Sequence, residues 1–97
     1  MNTDERIAKK LVITGQVQGV WYRASAQDQA IALGLTGWIK NHGNQEVHAR
    51  VQGSAAAIQA FIDWCYDGPE RAKVTSIAER ETDLSPQYKE FEIHAST

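Results

Sequence analysis

A short glycine-containing stretch, residues 15–23 (GQVQGVWYR), separates an apolar run typical of a β-strand from a segment with helical spacing. Gly15 and Gly19 allow the backbone to turn tightly, so that consecutive N–H groups converge on an anion. Arg23 adds a planar set of donors that matches phosphate oxygens, next to the N-terminus of the predicted helix. The stretch predicts a phosphate-binding loop. On residue types alone, an ordinary turn followed by an exposed arginine is the favoured interpretation, since no nucleotide-binding fingerprint is present.

Apolar periodicity along the remaining sequence predicts the order β-α-β-β-α-β followed by a short terminal strand. Ser54 is expected to cap the second helix, and Gly34 and Gly68 to end the two helices. Val74 and Ile77 cannot alternate strictly, so the fourth strand is expected to contain a bulge or to start late. The predicted strands span residues 9–15, 36–41, 46–52, 73–81 and 88–94, and the predicted helices span residues 22–33 and 54–67.

This order of elements is that of the ferredoxin-like fold. We therefore predict an α+β two-layer sandwich, in which two helices cover one face of an antiparallel sheet. In the strand of residues 46–52 the side chains of Val47, Ala49 and Val51 should face the core, while Gln52 should face outward. The 97 residues suffice for one domain, with residues 1–7 as a frayed lead-in.

Composition excludes several classes of function. The formal net charge is −2, from 10 basic and 12 acidic residues without a basic run, so we expect neither a nucleic-acid partner nor a membrane partner. An RNA-recognition domain shares the order of elements but carries stacking aromatics on its first and third strands, which are lacking here. Cys65 is the only cysteine and lies on the apolar stripe of the second helix, so we expect a buried thiol and a cytoplasmic protein.

Two motifs together resemble those of the acylphosphatase family. The first is Gly-x-Val-Gln-Gly-Val-x-Tyr-Arg over residues 15–23, and the second is Gly-Leu-Thr-Gly-Trp-Ile-Lys-Asn over residues 34–41. The similarity extends over nearly the whole chain, from about Lys9 to His94, and it includes Gly68-Pro69. The resemblance implies hydrolysis of the carboxyl-phosphate anhydride of small acyl phosphates, giving a carboxylate and inorganic phosphate.

The resemblance also assigns roles to residues of this sequence. Arg23 is implied to bind the substrate phosphate, and Gly15 to form a structural turn. Asn41, which by itself is typical of a turn residue, is implied to hold the water that attacks phosphorus directly. The phosphate is also implied to accept hydrogen bonds from main-chain N–H groups of the loop, which are those of Gln16, Val17, Gln18, Gly19, Val20 and Trp21.

No metal or other cofactor is expected, because His42, His48 and His94 lack a metal-ligand spacing such as His-Glu-x-x-His. No Ser-His-Asp, Cys-His or paired-carboxylate arrangement lies near the loop, and a carboxylate leaving group needs no protonation. We expect a monomer that hydrolyses acyl phosphates. The alternative is a module of the same fold that binds acyl phosphate or phosphate without turnover.

Three positions depart from the family pattern. Tyr22 stands where phenylalanine is usual, so a hydroxyl is added to a retained ring. Trp21 stands where smaller residues are common, and it is a candidate wall of the site. The turn of the predicted hairpin usually carries Asp-Gly but here contains Gly43-Asn44-Gln45, so the conformation of this turn is open.

Overall fold

A computed structural model describes residues 5–97. Its five strands and two helices follow the predicted order. The strands are β1 (Arg6–Gln16), β2 (Thr36–His42), β3 (Glu46–Ser54), β4 (Lys73–Thr82) and β5 (Phe91–Ile93), and the helices are α1 (Tyr22–Ala32) and α2 (Ala55–Asp67).

The five strands form one sheet in the order β4-β1-β3-β2-β5. The first four strands are antiparallel to their neighbours, but β5 runs parallel to β2, with Gly37 opposite Phe91. The prediction of a purely antiparallel sheet is therefore wrong for the terminal strand. β4 and β5 lie at opposite edges, so the chain must cross the whole sheet between them, and it enters β5 in the direction of β2.

The predicted bounds need correction at both ends of the chain. β1 begins at Arg6 rather than Lys9, because pairing with β3 continues to Ser54. Arg6 and Ile7 are thus strand residues and not a frayed lead-in; the rest of that prediction, for residues 1–4, lies outside the described residues. The last strand covers Phe91–Ile93 instead of residues 88–94, because the preceding residues cross the sheet.

Local signals are confirmed at the predicted positions. The Ser54 hydroxyl accepts a hydrogen bond from the N–H of Ala57, which caps α2. The β1–β4 register shifts between Thr14 and Gly15, which is the predicted bulge. At this bulge the two backbones come so close that a Cβ on Gly15 would overlap the carbonyl oxygen of Lys73. Gly15 is therefore required by sterics as well as by its φ of 139°.

The core lies between the sheet and the two helices. Helix α1 contributes Tyr22, Ala26 and Ala30, which are spaced four residues apart and therefore lie on one side of the helix. β3 and α2 contribute the predicted residues, all of them buried: Val47, Ala49, Val51, Ile58, Phe61, Ile62 and Cys65.

The opposite face of the sheet is partly covered by the connection from β4 to β5. The Gln52 amide donates to the carbonyl oxygen of Pro86 at 2.7 Å, and its oxygen accepts from the N–H of Tyr88 at 3.0 Å. Arg50 donates to the carbonyl oxygens of Asp83 and Ser85. Gln52 faces away from the helices as predicted, yet it is fully buried, because it satisfies backbone groups of this covering segment.

Candidate active site

A cavity of about 420 Å³ lies where the loop of residues 17–21 meets the start of α1 and the end of β2. It brings Arg23 and Asn41 together, although they come from different elements. Ile93 of β5 forms part of the wall. The lining residues are Val17, Gly19, Trp21, Tyr22, Arg23, Ala24, Asn41 and Ile93.

The loop presents main-chain donors that have no acceptor. Within the described residues 5–97, none of the five N–H groups of residues 17–21 donates a hydrogen bond to protein. Backbone donors left unpaired by protein are costly unless water or a ligand accepts from them. A run of such donors beside a helix N-terminus is suited to an anion.

Trp21 occupies an unusual backbone conformation at the junction of loop and helix. It is the N-cap of α1 with φ 65°, and its side chain caps none of the helix N–H groups. The left-handed conformation costs a residue with a side chain about 1–2 kcal/mol. The indole is 81% exposed, so it borders the mouth of the cavity rather than its interior. The first N–H groups of α1 are consequently left for a ligand.

The two polar side chains of the cavity also lack protein partners. Arg23 is half-buried, and its guanidinium forms no ion pair or hydrogen bond with residues 5–97. The Oδ1 atom of Asn41 is buried without a donor. A buried amide without partners is unfavourable in the free protein, so both side chains are suited to binding something polar in the cavity.

The predicted loop residues differ in position. Val17, Gly19 and Trp21 line the cavity, whereas Val20 is buried in the core. Gln16 is the last residue of β1, where it pairs with Lys73.

Gly15, Gln16 and Gln18 line a neighbouring depression instead of the cavity. The Gln18 amide nitrogen lies 3.0 Å from the carbonyl oxygen of Gly43 and 2.9 Å from that of Glu46. Gln18 therefore fixes the loop to the β2–β3 hairpin, which carries Asn41. The altered turn at residues 43–45 retains the carbonyl acceptor that this contact needs.

The hydroxyl of Tyr22, which is the departure from phenylalanine, has a specific partner. It donates to the carbonyl oxygen of Cys65 at 2.6 Å. Within α2 this carbonyl would accept from residue 69, but Pro69 has no N–H. Tyr22 thus satisfies a buried acceptor that the helix cannot. Burial raises the pKa of this phenol, so it remains a donor, and burial raises the pKa of the Cys65 thiol to about 12. Cys65 is a core residue, as predicted.

Replacing Tyr22 by phenylalanine is expected to lower the free energy of unfolding by about 1–3 kcal/mol, because the Cys65 carbonyl loses its buried hydrogen bond from the tyrosine hydroxyl. Urea unfolding monitored by circular dichroism would measure this loss. The matched control is Tyr66→Phe in α2, the helix that carries Cys65, where the tyrosine is 51% exposed and little change is expected. Equal stability of the two variants would show that the Tyr22 hydroxyl contributes nothing.

The structure also brings together two histidines, His42 and His48, that show no metal-ligand spacing in the sequence. His42 and His48 stack on each other across the β2–β3 hairpin, with ring centroids 4.3 Å apart. His94 lies elsewhere and stacks on Trp38 at 5.5 Å. Spacing rules for helical metal ligands do not identify the pair of His42 and His48, because the proximity of these residues depends on cross-strand register. The period-two alternation of side chains along the two paired strands is the sequence signal that could have found this pair.

Comparison with known proteins identifies the family. The acylphosphatase family model matches residues 9–93. The chain belongs to the acylphosphatase family. A curated acylphosphatase of Methylococcus capsulatus is 41% identical over 83 residues, which is 86% of this chain and 90% of that protein. A second, from Marinobacter nauticus, is 40% identical over 81 residues, which is 84% of this chain and 88% of that protein.

A solved acylphosphatase structure agrees with the fold. The acylphosphatase of Coxiella burnetii superposes with a TM-score of 0.90 at 28% identity, over 97% of this chain and all of that one. The predicted ferredoxin-like architecture and the predicted enzyme class, an acylphosphatase, are thereby confirmed. Among the described residues, no helix is both long and apolar enough to cross a membrane.

Proposed function

We propose that the protein hydrolyses small acyl phosphates in the cavity between the loop of residues 17–21 and β2, with Arg23 and Asn41 as its catalytic residues. The observation that carries this proposal is that Arg23, Asn41 and three loop residues, Val17, Gly19 and Trp21, line a single cavity. Among residues 5–97, neither the main-chain N–H groups of these loop residues, nor the guanidinium, nor the amide oxygen has a hydrogen-bond partner. Such a set matches a tetrahedral anion with one water beside it.

The phosphate group of the substrate docks on the loop. Main-chain N–H groups of residues 16–21 donate to its oxygens, and Arg23 binds two of them through its planar donors. In phosphoryl transfer, charge spreads over the equatorial oxygens, and fixed donors stabilise that charge without having to reorient. Gln16 is the least favourably placed of these donors, because it belongs to β1.

Asn41 holds the attacking water. An amide oxygen accepts a hydrogen bond from water, while its nitrogen reaches a phosphate oxygen, so one side chain can align the two reactants. In the free protein Oδ1 is buried without a donor among residues 5–97, and half a turn about the last side-chain bond exchanges it with the nitrogen. The amide can therefore present its oxygen to the cavity at little cost.

The proposed reaction is a direct displacement at phosphorus. The water oxygen forms a bond to phosphorus as the P–O bond to the acyl group breaks, and the electron pair leaves with the carboxylate. One water proton goes to a phosphate oxygen, so R–CO–O–PO₃²⁻ and H₂O give R–COO⁻ and H₂PO₄⁻. The leaving carboxylic acid has a pKa of about 4, comparable to a side-chain carboxyl, so it departs unprotonated. The chemistry consequently requires no general acid or metal.

Small acyl phosphates are the proposed substrates. The cavity offers apolar surface from Val17 and Ile93 but no further charged group that would select a particular acyl chain. We propose a monomer as the active unit. The unpaired Cys65 is compatible with the cytoplasm.

Release of phosphate from benzoyl phosphate in ¹⁸O-labelled water, with a chelator present, tests the function and the direction of attack. We expect turnover well above spontaneous hydrolysis, with the solvent oxygen in phosphate and none in benzoate. Label in benzoate would place the attack at carbon and contradict the mechanism. Absence of turnover, with inorganic phosphate still raising the melting temperature, would establish the alternative of a binding module.

A further inference from the structure

A cluster of three potential metal ligands lies on the face of the sheet that points away from the helices. His42 pairs with Glu46 across the β2–β3 hairpin, and His48 follows two residues later on the same face. One ligand atom from each residue lies within 4.8 Å of those of the other two. His48 Nε2 and Glu46 Oε1 are already 2.8 Å apart. The three side chains converge on one point of the surface.

We propose that His42, Glu46 and His48 form a binding site for a divalent transition-metal ion such as Zn²⁺. Two imidazoles and one carboxylate are the donor set of three-ligand zinc sites, in which water completes the tetrahedron. With ligand bonds of about 2.0–2.1 Å, neighbouring donor atoms stand about 3.3 Å apart. In the proposed site, side-chain rotation would bring the three ligand atoms, now within 4.8 Å of one another, to that separation.

Contacts outside the cluster orient one of its imidazoles. The ring Nδ1 of His42 lies 3.1 Å from the Thr97 hydroxyl, the kind of outer contact that orients a ligating imidazole. Lys40, which pairs with His48 across the hairpin, places its ammonium over the Trp38 ring, 5.4 Å from the centroid.

The proposed site is separate from the cavity. Side chains alternate along β2, so Asn41 points to the side of the helices while His42 points to the opposite side. Metal binding on the open face would thus leave Arg23 and the loop accessible. The proposal stands independently of the proposed hydrolysis.

Calorimetric titration of the full chain with Zn²⁺ at neutral pH tests the site. We expect saturable one-to-one binding, which weakens on acidification because protons compete for the imidazoles. His48→Gln, Glu46→Gln and His42→Gln should each weaken it by at least about tenfold, since loss of even an outer partner costs about 10–100-fold. In NMR spectra, the ring signals of His42 and His48 should shift on binding, and those of His94 should not.

His94→Gln is the matched control. His94 also lies next to a glutamate, Glu92, with its Nε2 3.2 Å from Oε1, but no third ligand among residues 5–97 joins this pair. Its removal should leave Zn²⁺ affinity unchanged. Circular dichroism and turnover of benzoyl phosphate would show that each variant is folded. Absence of saturable binding by the unaltered chain, or equal affinity of His48→Gln and His94→Gln, would overturn the proposal and leave Glu46 and His48 as a simple ion pair.

Discussion

Replacing Arg23 by alanine is expected to lower kcat/KM for benzoyl phosphate by about 10³-fold or more, as is found for arginines that stabilise the charge of phosphoryl transfer. The half-buried guanidinium has no protein partner among residues 5–97, so its removal breaks no ion pair and should cost little stability. Arg23→Ala should consequently lose activity while it keeps its stability. Steady-state phosphate release, with the melting temperature of each variant, measures both.

Two further variants make this result specific. Arg23→Lys keeps the positive charge but loses the planar set of donors, so it should retain only part of the lost activity. Arg80→Ala, at an exposed position of β4, removes the same charge from the molecule and should leave kcat/KM nearly unchanged. Near-normal activity of Arg23→Ala, or an equal loss in Arg80→Ala, would contradict a local role of Arg23.

Replacing Asn41 by alanine is expected to reduce kcat by about 10²–10³-fold, the cost of removing one preorganised polar group from a reacting centre. Affinity for inorganic phosphate should change little, because the loop and Arg23 remain. Since Oδ1 has no donor in the free protein, the variant should be at least as stable as the unaltered chain. Single-turnover kinetics measures the loss of rate, and titration with inorganic phosphate measures whether the affinity is retained.

Asn44→Ala is the control for Asn41, because it removes the same amide three residues later in the exposed hairpin turn. It should retain full activity. If Asn41→Ala kept its rate, the water would have to be held by another group, and the main-chain donors of the loop would be the first candidates.

Features that depend on neighbouring residues could be predicted from the sequence. The cap at Ser54, the core stripe of α2 and the β1–β4 bulge all follow from local spacing, and the structure confirms each of them. The predicted roles of the loop and Arg23 also start from local features, because a strand, two glycines and a helix start are suited to an anion, although an ordinary turn shares these features. The cavity then adds Asn41 beside them, as the family resemblance implied.

Features that depend on distant pairing could not be predicted. Gln52 alternates with core residues and was assigned to the outside; only the path of the β4–β5 connection buries it. The parallel direction of β5 follows from that same path. The link between Tyr22 and Cys65 depends on Pro69, so three separated positions must be considered together. The cross-strand pair of His42 and His48 likewise depends on the pairing of β2 with β3.

The position of β5 has a consequence for synthesis of the protein on the ribosome. Arg23 and Asn41 precede Ile93 in the sequence, so both are translated before the residue that completes the cavity. The interior strand β1 pairs with β3 on one edge and with β4 on the other, so its second edge stays unpaired until β4 has been translated. A nascent chain therefore contains the side chains of Arg23 and Asn41 before it contains Ile93, which forms part of the cavity wall. Catalysis should begin only after residue 93 has left the exit tunnel and the last strand has docked.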